Sequence, residues 1–277
     1  MGIAAIQNDF KTQDGTKIFA QYWKPADAPK ALVIQSHGLG EHSGRYQHVA
    51  DAFAAEGIAL FAFDHRGHGK SDGKRGHIPD YESVMEELKL AMQEAEKLFP
   101  DTPKFLYGHS WGGNIALNFL LRENPNFKAA IVTDPWLHIP PVAALKETMG
   151  RFVNNFFPSL TQPNGLATND LCTDAKVVQA YENDPLVHDK VSVRLFVSSD
   201  AAAKYALENA ASLKTPVLLM HGKKDAITLL SGSEAFAKAN PEFVTLKVWD
   251  KMCHEIHNEI GHEAVLKAMV EFMEGHL

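Results

Sequence analysis

Short apolar runs recur along the chain, separated by longer stretches whose apolar positions follow helical spacing. Ala31 to Gln35, Ile58 to Phe63, Lys104 to Tyr107, Ala129 to Thr133, Pro216 to Met220 and Thr245 to Trp249 read as strands, most of them apolar throughout. A strand without polar alternation is buried on both faces, which calls for a parallel sheet covered by helices on both sides. Ahead of these runs, Gln7 to Thr12 and Lys17 to Trp23 flank Asp14-Gly15, a hairpin signal. The pattern predicts an α/β fold with eight strands in a mostly parallel sheet.

The alternation fails once, between Trp136 and Leu213. Val142, Leu145, Met149, Phe152, Val153, Phe156, Phe157 and Leu160 recur at helical spacing, and Pro158, Pro163, Gly165 and Asn169 then break the chain into short pieces. This predicts a helical cap, residues 137–213, inserted after the sixth strand, with 1–136 and 214–277 forming the core. Its apolar stripe is expected to cover a site on the sheet. A sharper expectation is that part of it faces lipid, giving peripheral membrane contact.

Composition narrows the classes. With 277 residues, 45% hydrophobic and 22% charged, the chain has room for a sizeable core. A net charge of −7 without any run of Lys or Arg excludes a nucleic-acid surface. Cys172 and Cys253 cannot make a disulfide framework and are expected as reduced thiols. Met1 to Ile6 lacks the basic and apolar regions of an export signal, and no apolar stretch approaches the roughly 20 residues that span a bilayer. A cytoplasmic protein is expected, at most peripherally bound to membrane; oligomeric state is not legible.

The chemistry centres on Gly108-His109-Ser110-Trp111-Gly112-Gly113, placed where the strand ending at Tyr107 becomes a helix. A tight strand-to-helix turn lifts a serine hydroxyl clear of the backbone, and glycines two residues either side leave room for the crossing chain. Such a nucleophile needs a base and an orienting acid, in the chain order Ser, acid, His. His254, a few residues after the last strand, is the expected base, ahead of His221, His257, His262 and His276. Asp225, after the seventh strand, is the expected acid, with Asp134 as rival and Asp200 and Asp250 as weaker candidates. The oxyanion donors are expected to be the amides of Trp111 and of Leu39, within His37-Gly38-Leu39-Gly40-Glu41-His42. A noncatalytic binding protein on the same fold is the alternative of a different class.

With these loops in place, the chain resembles the α/β-hydrolase family of serine hydrolases, and within it monoacylglycerol lipases and bacterial lysophospholipases. The resemblance rests on His37 to Tyr46, Phe63-Asp64-His65-Arg66-Gly67-His68-Gly69-Lys70-Ser71, the Ser110 turn and Asn183-Asp184-Pro185-Leu186. It implies hydrolysis of a single-chain lipid ester, a monoglyceride first, with lysophospholipids and short generic esters as alternatives. It also implies a glycerol pocket formed by Glu41, Arg45 and His257; alternatively Glu41 and Arg45 pair and brace the loop. The Asp64 to Ser71 loop reads as scaffolding. His65, His68 and His77 lack a carboxylate or cysteine set at ligand spacing, so no metal and no organic cofactor is expected. One departure is Trp111, where the family commonly has methionine, and its indole is expected to narrow the acyl entrance. Tryptophan here also resembles proline iminopeptidases, which need cap acids for a substrate amine; Glu147, Glu182 and Asp184 are the candidates.

Overall fold

The computed structural model describes residues 2–140 and 152–277. In chain order its strands are β1 (Ile6–Gln7), β2 (Phe10–Lys11), β3 (Lys17–Ile18), β4 (Ala20–Trp23), β5 (Ala31–Ser36), β6 (Ile58–Phe63), β7 (Lys104–His109), β8 (Ala129–Thr133), β9 (Thr161–Pro163), β10 (Lys190–Ser192), β11 (Val217–Gly222) and β12 (Val244–Trp249). Eight of them form one sheet in the order β1-β4-β6-β5-β7-β8-β11-β12. The strands from β6 through β12 in that order pair in parallel, while β4 runs antiparallel to both its neighbours.

Alternation within the buried strands divides the core into two layers. Leu32 and Ile34 of β5 point to the face covered by α2 (Tyr81–Leu98), α3 (Trp111–Glu123), α5 (Val193–Asn209) and α6 (Leu230–Ala239). Ala31 and Val33 point to the other face, under α1 (Gln47–Ala55) and α7 (His262–Glu274). Helix starts follow local chemistry: Asp80 and Ser192 accept the backbone N–H groups of Ser83 and Leu195 and so cap α2 and α5.

The N-terminal hairpin is more broken than the hydrophobic pattern predicts. Instead of two long strands, β1 pairs with β4 and β2 with β3. The interruption falls at Phe19, whose N–H donates to Ser71 Oγ and whose carbonyl accepts from Asp64 N–H. The 64–72 loop thus takes the ladder position that a continuous hairpin would use.

Between β8 and β11 the chain leaves the sheet. β9 and β10 form a separate antiparallel pair, and α4 (Ala175–Asn183) packs through Val178 and Tyr181 on Leu171 and Cys172. Helix α5 then returns to the core layer, burying Leu195, Ala202, Ala203 and Ala206 beside α2 and α3. Val142, Leu145 and Met149 of the expected stripe lie outside the described residues, whereas Phe152, Phe156, Phe157 and Leu160 are exposed. Among the described residues no helix is long and apolar enough to cross a membrane.

Candidate active site

The central strands deliver three loops to one edge of the sheet. Ser110 sits between β7 and α3 with φ 54° and ψ −117°, a conformation that costs an L-residue strain and persists only when its surroundings hold it. They do: Ser110 N–H donates to the Thr133 carbonyl at 2.9 Å, and its own carbonyl accepts from Asn114 and Trp136 at 3.0 Å each. Close approach explains Gly112, because a Cβ there would sit on the Ser36 carbonyl oxygen of the neighbouring strand.

Asp225 follows β11 and His254 follows β12. Ser110 Oγ lies 2.9 Å from His254 Nε2, and His254 Nδ1 lies 2.7 Å from Asp225 Oδ2. An ionised Asp225 can only accept, so Nδ1 carries the proton and Nε2 is left free to accept from the serine hydroxyl. Asp225 is held from every side, by the N–H groups of Ile227 and Thr228 on Oδ1 and by the Thr228 hydroxyl on Oδ2. Burial opposes its ionisation, but the His254 charge and the hydrogen bonds from His221, His254 and Thr228 outweigh it and hold the carboxyl far below its ordinary range. For His254 burial disfavours the cation, and the Asp225 carboxylate reverses this, raising the imidazole above 6.5.

Asp134 is the neighbour that does not join this chain. Its Oδ1 accepts from Gly222 N–H at 2.7 Å, and Oδ2 is buried without a partner among the described residues. Burial and the nearby Asp225 charge push its pKa well above the ordinary carboxylate range. Asp200 pairs with Lys204 and Asp250 with Lys223, both away from the imidazole. His221, one of the weaker candidate bases in the sequence, and Thr228, which sequence reasoning did not name, buttress Asp225 directly: His221 Nε2 is 3.3 Å from its Oδ2. Thr228 was signalled by its place three residues past Asp225 on the same loop, His221 only by its place near the end of β11.

The loop after β5 lies against the nucleophile, since a Cβ on Gly38 would come within 3.2 Å of Ser110 Cβ. His37 Nδ1–H donates to the Gly38 carbonyl at 2.8 Å, which orients the peptide unit carrying the Leu39 N–H. Trp111, as the first residue of α3, has an amide with no intrahelical acceptor. The two loops that carry the expected oxyanion donors, the Leu39 and Trp111 amides, therefore both border Ser110.

The Trp111 side chain corrects an expectation. Its indole is fully buried on the far side of the helix start, donates from Nε1 to Ser199 Oγ of α5 at 2.8 Å and packs on His65 and His68. It is not part of the cavity wall and does not narrow an acyl entrance.

Ser110 and His254 open into a cavity of about 320 Å³. Trp136, Ile139, Val191, Phe196 and Ile227 are among its apolar lining residues, and Glu41, Asp170 and Glu255 are its acidic ones. Of the three residues expected to hold glycerol, only Glu41 lines it. Arg45 bridges Glu41 at 2.7 Å and grips Glu255 with two hydrogen bonds of 2.6 and 2.7 Å, and its guanidinium lies over the Tyr181 ring. His257 stacks on Tyr46, 5.0 Å between ring centroids, beneath His109, with burial keeping it neutral. The resemblance to monoacylglycerol lipases placed it at the site, but which way its ring faces is set by Tyr46 and His109. Glu255 is the residue missed; as the neighbour of His254 it offered only proximity. Burial works against its charge and Arg45 restores it, leaving a carboxyl at about 2.

The remaining candidates are placed as follows. His65 bonds Ser36, His77 bonds Ser192 and His68 bonds the Arg66 carbonyl. Arg66 pairs with Glu87 and Asp14, and Asp64 receives the Ser43 and Lys70 N–H groups, so this loop braces its neighbours. Among the described residues one trio, Asp134, Asp225 and His254, brings potential ligand atoms within 4.8 Å of one another, and His254 there is already bonded to Asp225 and Ser110. Glu182 bonds Thr168 and Asp184 bonds His42, neither lining the cavity, and Glu147 lies outside the described residues. Cys172 and Cys253 are unpaired, with burial pushing the thiols up to about 12 and about 11, which disqualifies them as nucleophiles at neutral pH.

Comparison with known proteins places the chain among serine hydrolases. Residues 27–261 match the family described as serine aminopeptidase, S33. The chain is 31% identical over 278 residues to a monoacylglycerol lipase of Mycolicibacterium smegmatis, covering 98% of each protein. It is 38% identical over 267 residues to an uncharacterized abhydrolase domain-containing protein of Dictyostelium discoideum, covering 95% of this chain but 28% of that longer one. The crystal structure of a Paleococcus ferrophilus monoacylglycerol lipase superposes with a TM-score of 0.85 at 30% identity, covering 94% of this chain and 99% of that one.

Proposed function

We propose that this chain, which belongs to the serine aminopeptidase S33 family of α/β-hydrolases and is an enzyme of the carboxylic-ester hydrolase type, cleaves monoacylglycerols to glycerol and fatty acid. The observation that carries the reading is the hydrogen-bonded chain Ser110–His254–Asp225 opening into a cavity with an apolar wall and a carboxylate-bearing end. Ser110 Oγ attacks the ester carbonyl while His254 Nε2 takes its proton, and the Leu39 and Trp111 amides receive the oxyanion. His254 then protonates the departing glycerol oxygen, leaving an acyl-serine. Water attacks that ester with His254 again as base, and the fatty acid departs. Asp225 stays ionised throughout, holding the tautomer and stabilising the imidazolium.

Substrate preference follows from the two ends of the cavity. An acyl chain suits Val191, Phe196 and Ile227, and glycerol hydroxyls can donate to Glu41 and Glu255. Arg45 acts through these carboxylates, bracing them rather than meeting substrate. Two carboxylates against one guanidinium leave this end negative, which favours a neutral glycerol over a phosphate-bearing headgroup. Residues 137–213 act as the lid over the site, with α5 as their anchor on the core. The exposed Phe152, Phe156, Phe157 and Leu160 support its peripheral contact with lipid, where amphipathic surfaces bury aromatic side chains.

The test compares turnover of a long-chain monoacylglycerol, the methyl ester of the same acid and a lysophosphatidylglycerol. The monoacylglycerol is expected to lead, Ser110→Ala to abolish all three activities, and Glu255→Gln to lower the preference for monoacylglycerol over methyl ester by roughly tenfold, as for one lost charged hydrogen bond. Equal rates on monoacylglycerol and methyl ester in the unaltered enzyme would overturn the glycerol assignment.

A further inference from the structure

The motif Asn183-Asp184-Pro185-Leu186 is not used by the chemistry above, yet its contacts lead back to it. Asp184 Oδ2 accepts from His42 Nε2 at 2.9 Å, across 142 positions of sequence. The tautomer is set by the other ring nitrogen, since His42 Nδ1 accepts from Gly44 N–H at 3.1 Å and Nε2 therefore carries the proton. Asp184 Oδ1 accepts from Leu186 N–H at 2.8 Å, an Asx turn that directs the following backbone towards the loop after β5. Four residues on, His188 N–H donates to the Gly40 carbonyl at 2.9 Å. The approach is tight: a Cβ on Gly40, at φ +82°, would lie 2.5 Å from the His188 carbonyl oxygen.

These contacts bracket Leu39. On one side the core orients the Gly38 peptide through His37; on the other, the 184–188 segment of the insertion holds Gly40 and His42. The same segment is seated on the core by His188 Nε2–H to the Gly67 carbonyl and by Ser192 N–H to the Gly76 carbonyl. We propose that Asp184 is a positioning residue for the oxyanion loop, so that the insertion, through Asp184–His42 and His188–Gly40, holds the Leu39 amide where the transition-state oxygen forms. The inference rests on the reading of Leu39 as an oxyanion donor. It makes the cover part of the catalytic geometry as well as an enclosure for the acyl chain, because a donor displaced from the developing charge loses much of its effect.

Such a role predicts a defect in the transition state rather than in substrate binding. Asp184→Ala should lower kcat roughly tenfold with KM unchanged within about twofold, and His42→Ala should reproduce the loss without adding to it in the double variant. Asp184→Asn keeps one acceptor oxygen for the Leu186 N–H but turns its NH2 towards His42 Nε2–H, so it should lose kcat nearly as Asp184→Ala does. Two inhibitors separate the states: a long-chain trifluoromethyl ketone, which Ser110 converts to an oxyanion, and a glycerol monoalkyl ether, which has no carbonyl. Asp184→Ala should weaken the ketone by the same factor as kcat and leave the ether unaffected. Raised KM at constant kcat, or equal weakening of both inhibitors, would show that Asp184 only encloses substrate and overturn the proposal. A ketone no tighter than the ether on the unaltered enzyme would instead overturn the oxyanion reading itself. Asp189→Ala, the neighbouring residue, whose side chain among the described residues pairs with exposed Lys190, controls for general loosening and should leave both inhibitors unchanged.

Discussion

The floor and the cover of the cavity are built on opposite terms. The floor is made of side chains at the ends of buried parallel strands, each fixed by several hydrogen bonds: Asp225 alone accepts from Ile227, Thr228 and His254. The cover is anchored by α5 in the core layer, while its stretch from β9 to β10 has a small apolar cluster of its own, Leu171, Cys172, Val178 and Tyr181, and is otherwise attached at discrete points. One side is clipped to the His254 loop, where Glu255 N–H donates to the Leu171 carbonyl at 2.7 Å, and the other to the loop after β5. A floor so constrained holds strain at Ser110; the stretch between β9 and β10, held by fewer contacts, is expected to open before what lies beneath.

The contrast is broken most severely at the floor. Asp225→Asn is expected to lower kcat by about 10⁴, because an amide cannot accept Nδ1–H and stabilise the imidazolium as a carboxylate does. Next in size is the core beneath. Phe61→Ala, at a fully buried position of β6, should cost about 3–5 kcal/mol and appear as a large fall in Tm. The pH profile gives a smaller but signed effect. Since Asp225 raises His254 above 6.5, the base stays protonated to higher pH, and the acid limb of kcat/KM should be centred above that value. In Asp225→Asn the limb should move down. His109, 4.9 Å from the His254 ring, is held by burial at about 3 and stays neutral across this range, so it should contribute no second inflection. Smallest is Val178→Ala in the cover, worth about 1.5 kcal/mol. It should speed hydrogen exchange in residues 160–192 while leaving the global Tm nearly unchanged, and a full shift of Tm would show that cover and floor unfold as one.

The same division decides what the sequence disclosed. Continuous apolar strands and a serine between glycines depend on local rules, and β5 to β8, β11 and β12 lie where the apolar runs predict, with Ser110, Asp225 and His254 within hydrogen-bonding reach of one another. What failed depended on facing. His257 sits on the right loop, but its ring stacks under Tyr46 instead of entering the cavity. Arg45 is enclosed by two carboxylates, one of them, Glu255, contributed from 210 positions away. The N-terminal hairpin obeyed its alternation until the 64–72 loop competed for the backbone of Phe19. In each case a partner distant in sequence made the decision, and periodicity carries no record of distant partners.

Trp111 carries a practical consequence for redesign. Its backbone faces the reacting serine and its indole faces the other way, bonded to Ser199 on α5. The residue after Ser110 is thus a keel for the helix, and its side chain lies outside the cavity proposed to hold the acyl chain. Libraries aimed at chain-length selectivity gain nothing from randomising this position and would unseat a core helix; Ile139, Leu166, Val191, Phe196 and Ile227, which do face the cavity, are where such diversity belongs.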